Sequence, residues 1–142
     1  MYGIGAVFIA PWLAAFGSRI SRSHLLVGSL FGYGCGEILL ASSSFYWAGV
    51  AGIFIVGCAH LVMATTTNTT LQLRVPEPVR GRVMAMYLMV FTIGAPLGSI
   101  IQGPLADRFG PQSVVLVMGL SFLVAALILK LSGRADTYNF ED

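Results

Sequence analysis

Long apolar runs alternate along the chain with short polar interruptions. Tyr2 to Phe16 is apolar until Gly17, Ser18, Arg19, Ile20, Ser21 and Arg22 break the run, and further runs cover about His24 to Ala41, Phe45 to Leu73, Val83 to Ala106 and Ser113 to Leu131. Charge-poor runs of roughly 18 residues or more suit a bilayer crossing better than a buried helix of a soluble domain. The pattern predicts an all-α fold, a polytopic membrane helical bundle of about five transmembrane helices over 2–16, 24–41, 45–73, 83–106 and 113–131. Residues 1–134 form the bundle and 135–142 a tail. No signal peptide is expected, because both arginines follow the first run instead of preceding it.

Composition strengthens the case for lipid as the solvent. The 142 residues include eight Lys or Arg and six Asp or Glu, so 10% are charged and 56% hydrophobic, whereas a soluble domain carries about a quarter charged residues. Mean hydropathy is +0.83. A net charge of +2 provides no basic surface for a nucleic acid, and Cys35 and Cys58 lie inside apolar runs as packing residues.

The basic residues fix an expected orientation, since Lys and Arg near span ends are retained on the cytoplasmic side. If loops alternate, Arg19, Arg22, Arg74, Arg80, Arg82, Lys130 and Arg134 share one side and only Arg108 lies on the other. The C-terminal tail is then cytoplasmic and Met1 begins outside, with Tyr46 and Trp47 as outer-interface anchors. An odd number of helices starting on the outer side looks like a piece of a larger bundle, so further sequence is expected before Met1.

Polar residues inside the runs are the candidate chemistry. The inner half of the third run holds His60, Thr65, Thr66, Thr67, Asn68, Thr69, Thr70 and Gln72, and three-and-four spacing puts His60, Ala64, Thr67, Asn68, Leu71 and Gln72 on one face. Such a face is either a cavity wall offering hydrogen bonds to a polar or cationic solute, or a packing surface bonded to neighbouring helices and its own backbone. Glu37 in the second run can carry a proton, or snorkel to the interface and accept a bond. Gly28, Gly32 and Gly36, and then Gly94 and Gly98, recur at four-residue steps and mark stripes for close helix approach. Pro96 and Pro11 are expected to bend their helices. The stretch Arg74 to Arg82, with Pro76 and Pro78, reads as a cytoplasmic loop in which Arg80 or Arg82 can pair with Glu77. Gly103 to Gly110 reads as a turn in which Asp107 caps the last helix or pairs with Arg108.

With these segments in place, the chain resembles the C-terminal half of a major facilitator superfamily transporter. The likeness runs through Asn68, Thr69, Thr70, Leu71 and Gln72, Val75 and Pro76, Arg80 to Met84, Ala95 to Gly98, Gly103, and Leu105 to Gly110. It is similar in particular to the drug:proton antiporter branch that contains macrolide-efflux and siderophore-export proteins. The resemblance implies that the five runs correspond to the family's eighth to twelfth helices, of which the eighth, tenth and eleventh help to line a central cavity. Carried over, it favours His60, Thr67, Asn68, Gln72, Tyr87, Thr92 and Gln102 as cavity residues and Arg80, Gly81 and Arg82 as cytoplasmic loop and gating residues. Glu37 falls on a peripheral helix under the same likeness, and Pro11 stands where a small residue is more usual.

The expected function is therefore that of a fragment of a secondary active transporter of the cell (inner) membrane, exporting a small organic solute or drug by alternating access. Its expected partners are the lipid bilayer, the missing N-terminal transporter half and a small-molecule substrate, with no nucleic acid, no cofactor and no metal. No nucleophile–base–acid set or phosphate loop points to an enzyme. Two rivals remain open at the level of sequence: a non-transporting membrane scaffold or assembly subunit, and a passive pore.

Overall fold

The computed structural model describes residues 2–42 and 45–132, so the expected tail at 135–142, and Arg134, lie outside the described residues. Five α-helices follow one another: α1 Tyr2–Phe16, α2 Arg22–Ser42, α3 Tyr46–Arg74, α4 Glu77–Phe109 and α5 Pro111–Leu131, with a short 3-10 turn at Gly17–Arg19. α2 to α5 are each long and apolar enough to cross a membrane. α1, with 15 residues, extends roughly 22 Å against a hydrocarbon core of about 30 Å, so by length four of the five expected spans are full crossings.

Local chemistry sets the helix ends. Ser21 precedes α2 and accepts the backbone N–H of His24 on its Oγ at 3.4 Å, an N-cap that also brings its hydroxyl onto the His24 ring. α4 is longer than expected at both ends. Pro78 stands in its first turn, where a missing N–H breaks no bond, so the anticipated loop shrinks to Val75–Pro76 and Gly81 and Arg82 are helical. At the other end Gly103 and Pro104 do not stop the helix. Gly110 does, because its φ of 85° lies in the left-handed region that side chains disfavour, and Pro111 then opens α5 at once. Asp107 lies in the last turn of α4, and α5 starts without a side-chain cap, so the expected capping role is not taken up.

α2 is the centre of the bundle. It packs along α3 on one side and α5 on the other, α1 lies on α3, and α4 rests mainly on α5 with slight contact to α3. The approach depends on absent side chains. A Cβ placed on Gly36 would stand 2.9 Å from the Gly52 carbonyl and 2.7 Å from Val56, and one on Gly34 would stand 2.8 Å from the Gly119 carbonyl. A Cβ on Gly5 of α1 would overlap the Phe54 carbonyl. Among the described residues the buried apolar side chains are Ala41, Ala59 and Ala126, with Ser23, Ser29, Thr66 and Thr70 buried beside them. Large apolar groups point outward instead, for example Val7 at 71% exposed, Val90 at 72% and Leu131 at 76%.

The glycine stripes come out differently from the expectation. Gly32 and Gly36 do meet α3, but Gly28 and Gly94 face open space, and Gly98 meets only Gln102 of its own helix. Four-residue spacing finds one face of a helix, whereas α2 uses two: Gly36 turns toward α3 and Gly34, two residues earlier, toward α5. Gly36→Leu is expected to destabilise the bundle by about 1–3 kcal/mol through overpacking, with Gly28→Leu nearly neutral. Unfolding of both variants in detergent, followed by circular dichroism, checks the contrast.

Candidate functional site

α3 carries three different faces through one polar stretch. The first turns toward α1 and α2 and is self-satisfied. Thr65 donates its hydroxyl to the Leu61 carbonyl at 2.6 Å, and Thr70 donates to the Thr66 carbonyl at 2.7 Å. Thr66 and Thr70 are 5% and 6% exposed. For these threonines the packing reading applies: the hydroxyls close onto their own helix and the methyl groups fill the interface. Thr65, Thr66 and Thr69 also border a recess of about 260 Å³ with Leu13, Gly17, Arg22 and Leu25.

The second face meets α2 and α4 and reaches α5 through Tyr33 of α2. His60 Nδ1 shares a hydrogen bond of 2.5 Å with the Tyr33 hydroxyl, and Tyr33 stacks on Phe122 of α5 with ring centroids 4.9 Å apart. On its other side the His60 ring lies 5.7 Å from Phe91 of α4, which in turn lies 5.8 Å from Tyr87. One aromatic cluster thus joins four helices, and it brings His60 and Tyr87 together through Phe91. Toward the C-terminal end of α3 on this face, Thr67 lines a groove of about 330 Å³ with Ser23, Leu30, Met63, Thr70 and Arg74.

The third face is the one left between α1 and α4. At 3.6 residues per turn, Asn68 lies roughly 80° round α3 from His60 and roughly 80° the other way from Cys58. His60 marks the α4 side through Phe91, and Cys58 marks the α1 side through its 3.1 Å thiol contact with the Gly5 carbonyl. Gln72 Nε2 donates to Asn68 Oδ1 one turn away. The paired amides retain the Asn68 NH2 as donor and the Gln72 carbonyl as acceptor, so together they present both hydrogen-bonding polarities.

α4 borders this face with a helix none of whose described side chains is buried along all 33 residues. Thr92 is exposed on it, and Gln102 turns instead into a recess of about 310 Å³ against Ser113, Val114 and Val117 of α5. Pro96 and Pro104 both sit inside the helix, which continues through them. Pro96 has no N–H to give the Thr92 carbonyl, so a backbone acceptor is freed beside the Thr92 hydroxyl. At the N-terminal end of α4 Arg80 Nε donates to the Val75 carbonyl at 3.3 Å and braces the α3–α4 junction, while Arg82 is exposed and a Cβ on Gly81 would meet nothing.

The candidates predicted from sequence therefore do not gather into one site. His60 and Tyr87 share the aromatic cluster, Thr67 faces the groove, Asn68 and Gln72 lie on the face between α1 and α4, and Thr92 is exposed on α4. Gln102 belongs to the α4–α5 seam. Sequence reasoning overlooked Tyr33, Phe91 and Phe122, which build the cluster. The available signal was Tyr33 between Gly32 and Gly34, a bulky polar ring in a run of small residues.

Comparison with known proteins gives this arrangement its family. Residues 1–139 match the Major Facilitator Superfamily. The tetracycline resistance protein, class B, of Escherichia coli is 28% identical over 100% of this chain and 35% of its own length. The multidrug efflux pump Tap of Mycolicibacterium fortuitum is 32% identical over 52% of this chain and 18% of its own. The 4-hydroxybenzoate transporter PcaK of Pseudomonas aeruginosa is 27% identical over 89% of this chain and 28% of its own. The chain thus spans about a third or less of the length of these relatives. No solved structure matches it. With four apolar helices of membrane-crossing length and a match over nearly every residue, the chain belongs to the Major Facilitator Superfamily of membrane transporters.

Proposed function

We propose that the chain is the C-terminal part of an exporter of small organic solutes, of the drug:proton antiporter branch, that works by alternating access in the cell membrane with its C-terminus in the cytoplasm. The observation that carries this is the exposed state of α4. A helix that faced only lipid would carry large apolar side chains all round, yet α4 exposes Thr92, Gly94, Ala95, Pro96 and Ser99 in its middle. Small and polar groups of that kind suit a protein neighbour or water within a cavity. The natural neighbour is the other transporter half, with the polar face of α3 between α1 and α4 turned toward the space the two halves enclose.

The relatives support export, since two of the three are named for efflux or drug resistance. PcaK is named for 4-hydroxybenzoate, which shows the family's breadth, so the proposal stays at the class of small organic solutes. Asn68, Gln72, Thr92 and the freed Thr92 carbonyl would hydrogen-bond such a solute, and Tyr87 and His60 would border it through Phe91. In a scaffold subunit every one of these groups would be engaged by other helices, whereas the Asn68–Gln72 pair keeps bonding capacity on an open face. That favours transport over the scaffold reading.

Water access to the face is measurable. In a background with Cys35 and Cys58 replaced by Ala, Asn68→Cys and Thr92→Cys are expected to react with a membrane-impermeant thiol reagent, and Thr66→Cys to react at least about tenfold more slowly because it is buried. For function, Asn68→Ala with Gln72→Ala in the cell's own membrane is expected to reduce solute efflux by about tenfold or more at unchanged membrane abundance, as loss of two hydrogen bonds implies. Loss of abundance alone would support a scaffold, and efflux that persists downhill after collapse of the proton gradient would support a pore.

A further inference from the structure

Glu37 is the one acidic residue within the described part of α2, and its Oε2 is buried without a hydrogen-bond partner. An orphaned acceptor inside a membrane bundle calls for a donor, either water or the carboxyl's own proton. Glu37 lies four residues after Tyr33, so the two side chains share a face of α2 about 5–6 Å apart at Cβ. Tyr33 in turn holds His60 Nδ1 across the α2–α3 interface.

Depth orders these groups. Glu37 stands five residues before Ser42, the end of α2, roughly 7 Å along the helix, and Tyr33 roughly 13 Å. His60 is the midpoint of α3, fourteen residues from Tyr46 and from Arg74, so roughly 21 Å from either end. Beyond it, the groove lined by Thr67, Thr70 and Ser23 begins at Leu30 and Met63, one turn past Tyr33 and His60 respectively, and runs to Arg74 at the end of α3. The Tyr33–His60 pair therefore separates a buried carboxyl on one side from a groove on the other, whose mainly apolar walls carry Ser23, Thr67 and, at the far end, Arg74.

We propose that Glu37, Tyr33 and His60 form a proton-transfer path through this bundle, with the Tyr33–His60 pair as its gate and the groove as its exit. A proton taken up by the Glu37 carboxylate passes, through one bridging water, to the Tyr33 hydroxyl oxygen as Tyr33 delivers its own proton to His60 Nδ1. The imidazolium then releases the proton on Nε2 to water in the groove, and a tautomer shift with return of the hydroxyl resets the pair. One proton moves and no group is consumed. Other titratable groups facing the path are few among the described residues. α3 brings Arg74 at the far end of the groove, α4 brings Tyr87 behind Phe91, α5 presents the apolar Phe122 and has Lys130 only in its last turn, Cys35 of α2 is exposed and Cys58 of α3 faces α1.

The proposal builds on the transporter reading but is tested without any solute. The chain is reconstituted in vesicles that trap a pH-sensitive dye, and proton entry is driven by a potassium diffusion potential. Glu37→Gln and Tyr33→Phe, both nearly isosteric, are each expected to slow proton entry by about tenfold or more, with helix content unchanged by circular dichroism. Infrared difference spectra on a pH step should show a carboxyl band that Glu37→Gln abolishes and Tyr33→Phe displaces. Entry at the wild-type rate in either variant, absence of entry in the wild type, or a carboxyl band indifferent to Tyr33→Phe overturns the path. Proton entry in vesicles beside an absence of solute efflux in the cell's own membrane would count against the exporter reading alone, and efflux in that membrane with proton entry unchanged by Glu37→Gln would count against the path alone.

Discussion

Backbone must touch backbone for this bundle to exist. Lipid tails are as apolar as leucine side chains, so burying a large apolar group between helices gains little over leaving it in hydrocarbon, and association relies on close packing and polar contacts instead. Gly36 against Gly52 and Gly34 against Gly119 bring α2 within carbonyl distance of α3 and α5 at once. Everything else follows from α2 being clamped on both sides, because the side chains between those clamps, Tyr33 and Glu37, are thereby held in the bundle interior.

That geometry divides the work of the polar residues. Hydroxyls on the α1 and α2 side of α3 are closed onto their own helix, as Thr65 and Thr70 are, and add thickness to an interface without offering bonds to a solute. The amides of Asn68 and Gln72 are left on an open face beside α4. Polar residues of one stretch thus turn either to packing or to an open face according to a rotation of less than half a turn.

α4 is the element in which local rules and context disagree most. Two internal prolines and three glycines, Gly94, Gly98 and Gly103, weaken its helix propensity, yet it runs through 33 residues. In water such a segment would break at Gly103–Pro104. In a bilayer an unpaired backbone group has no water to turn to, so the helix persists and loses only the individual bonds the prolines remove.

The apolar runs alone determined that the chain is helical and membrane-embedded, and the family motifs determined its kinship, because both are written in residue type along the chain. Helix number and rough position were legible for the same reason, while the ends of α4 were not, since Pro78 and Pro104 read as breakers until their position in the helix is known. The polar face was legible as a stretch but not as three faces: only the tertiary structure could say that Thr66 meets a helix and Asn68 does not. The glycine contacts were hidden for a related reason, as Gly34, Gly52 and Gly119 lie far apart in sequence and become partners only when the helices cross. Tyr33 and His60, 27 residues apart, meet because α2 and α3 pack closely enough for one hydrogen bond to span them, which no spacing rule along a single chain can state.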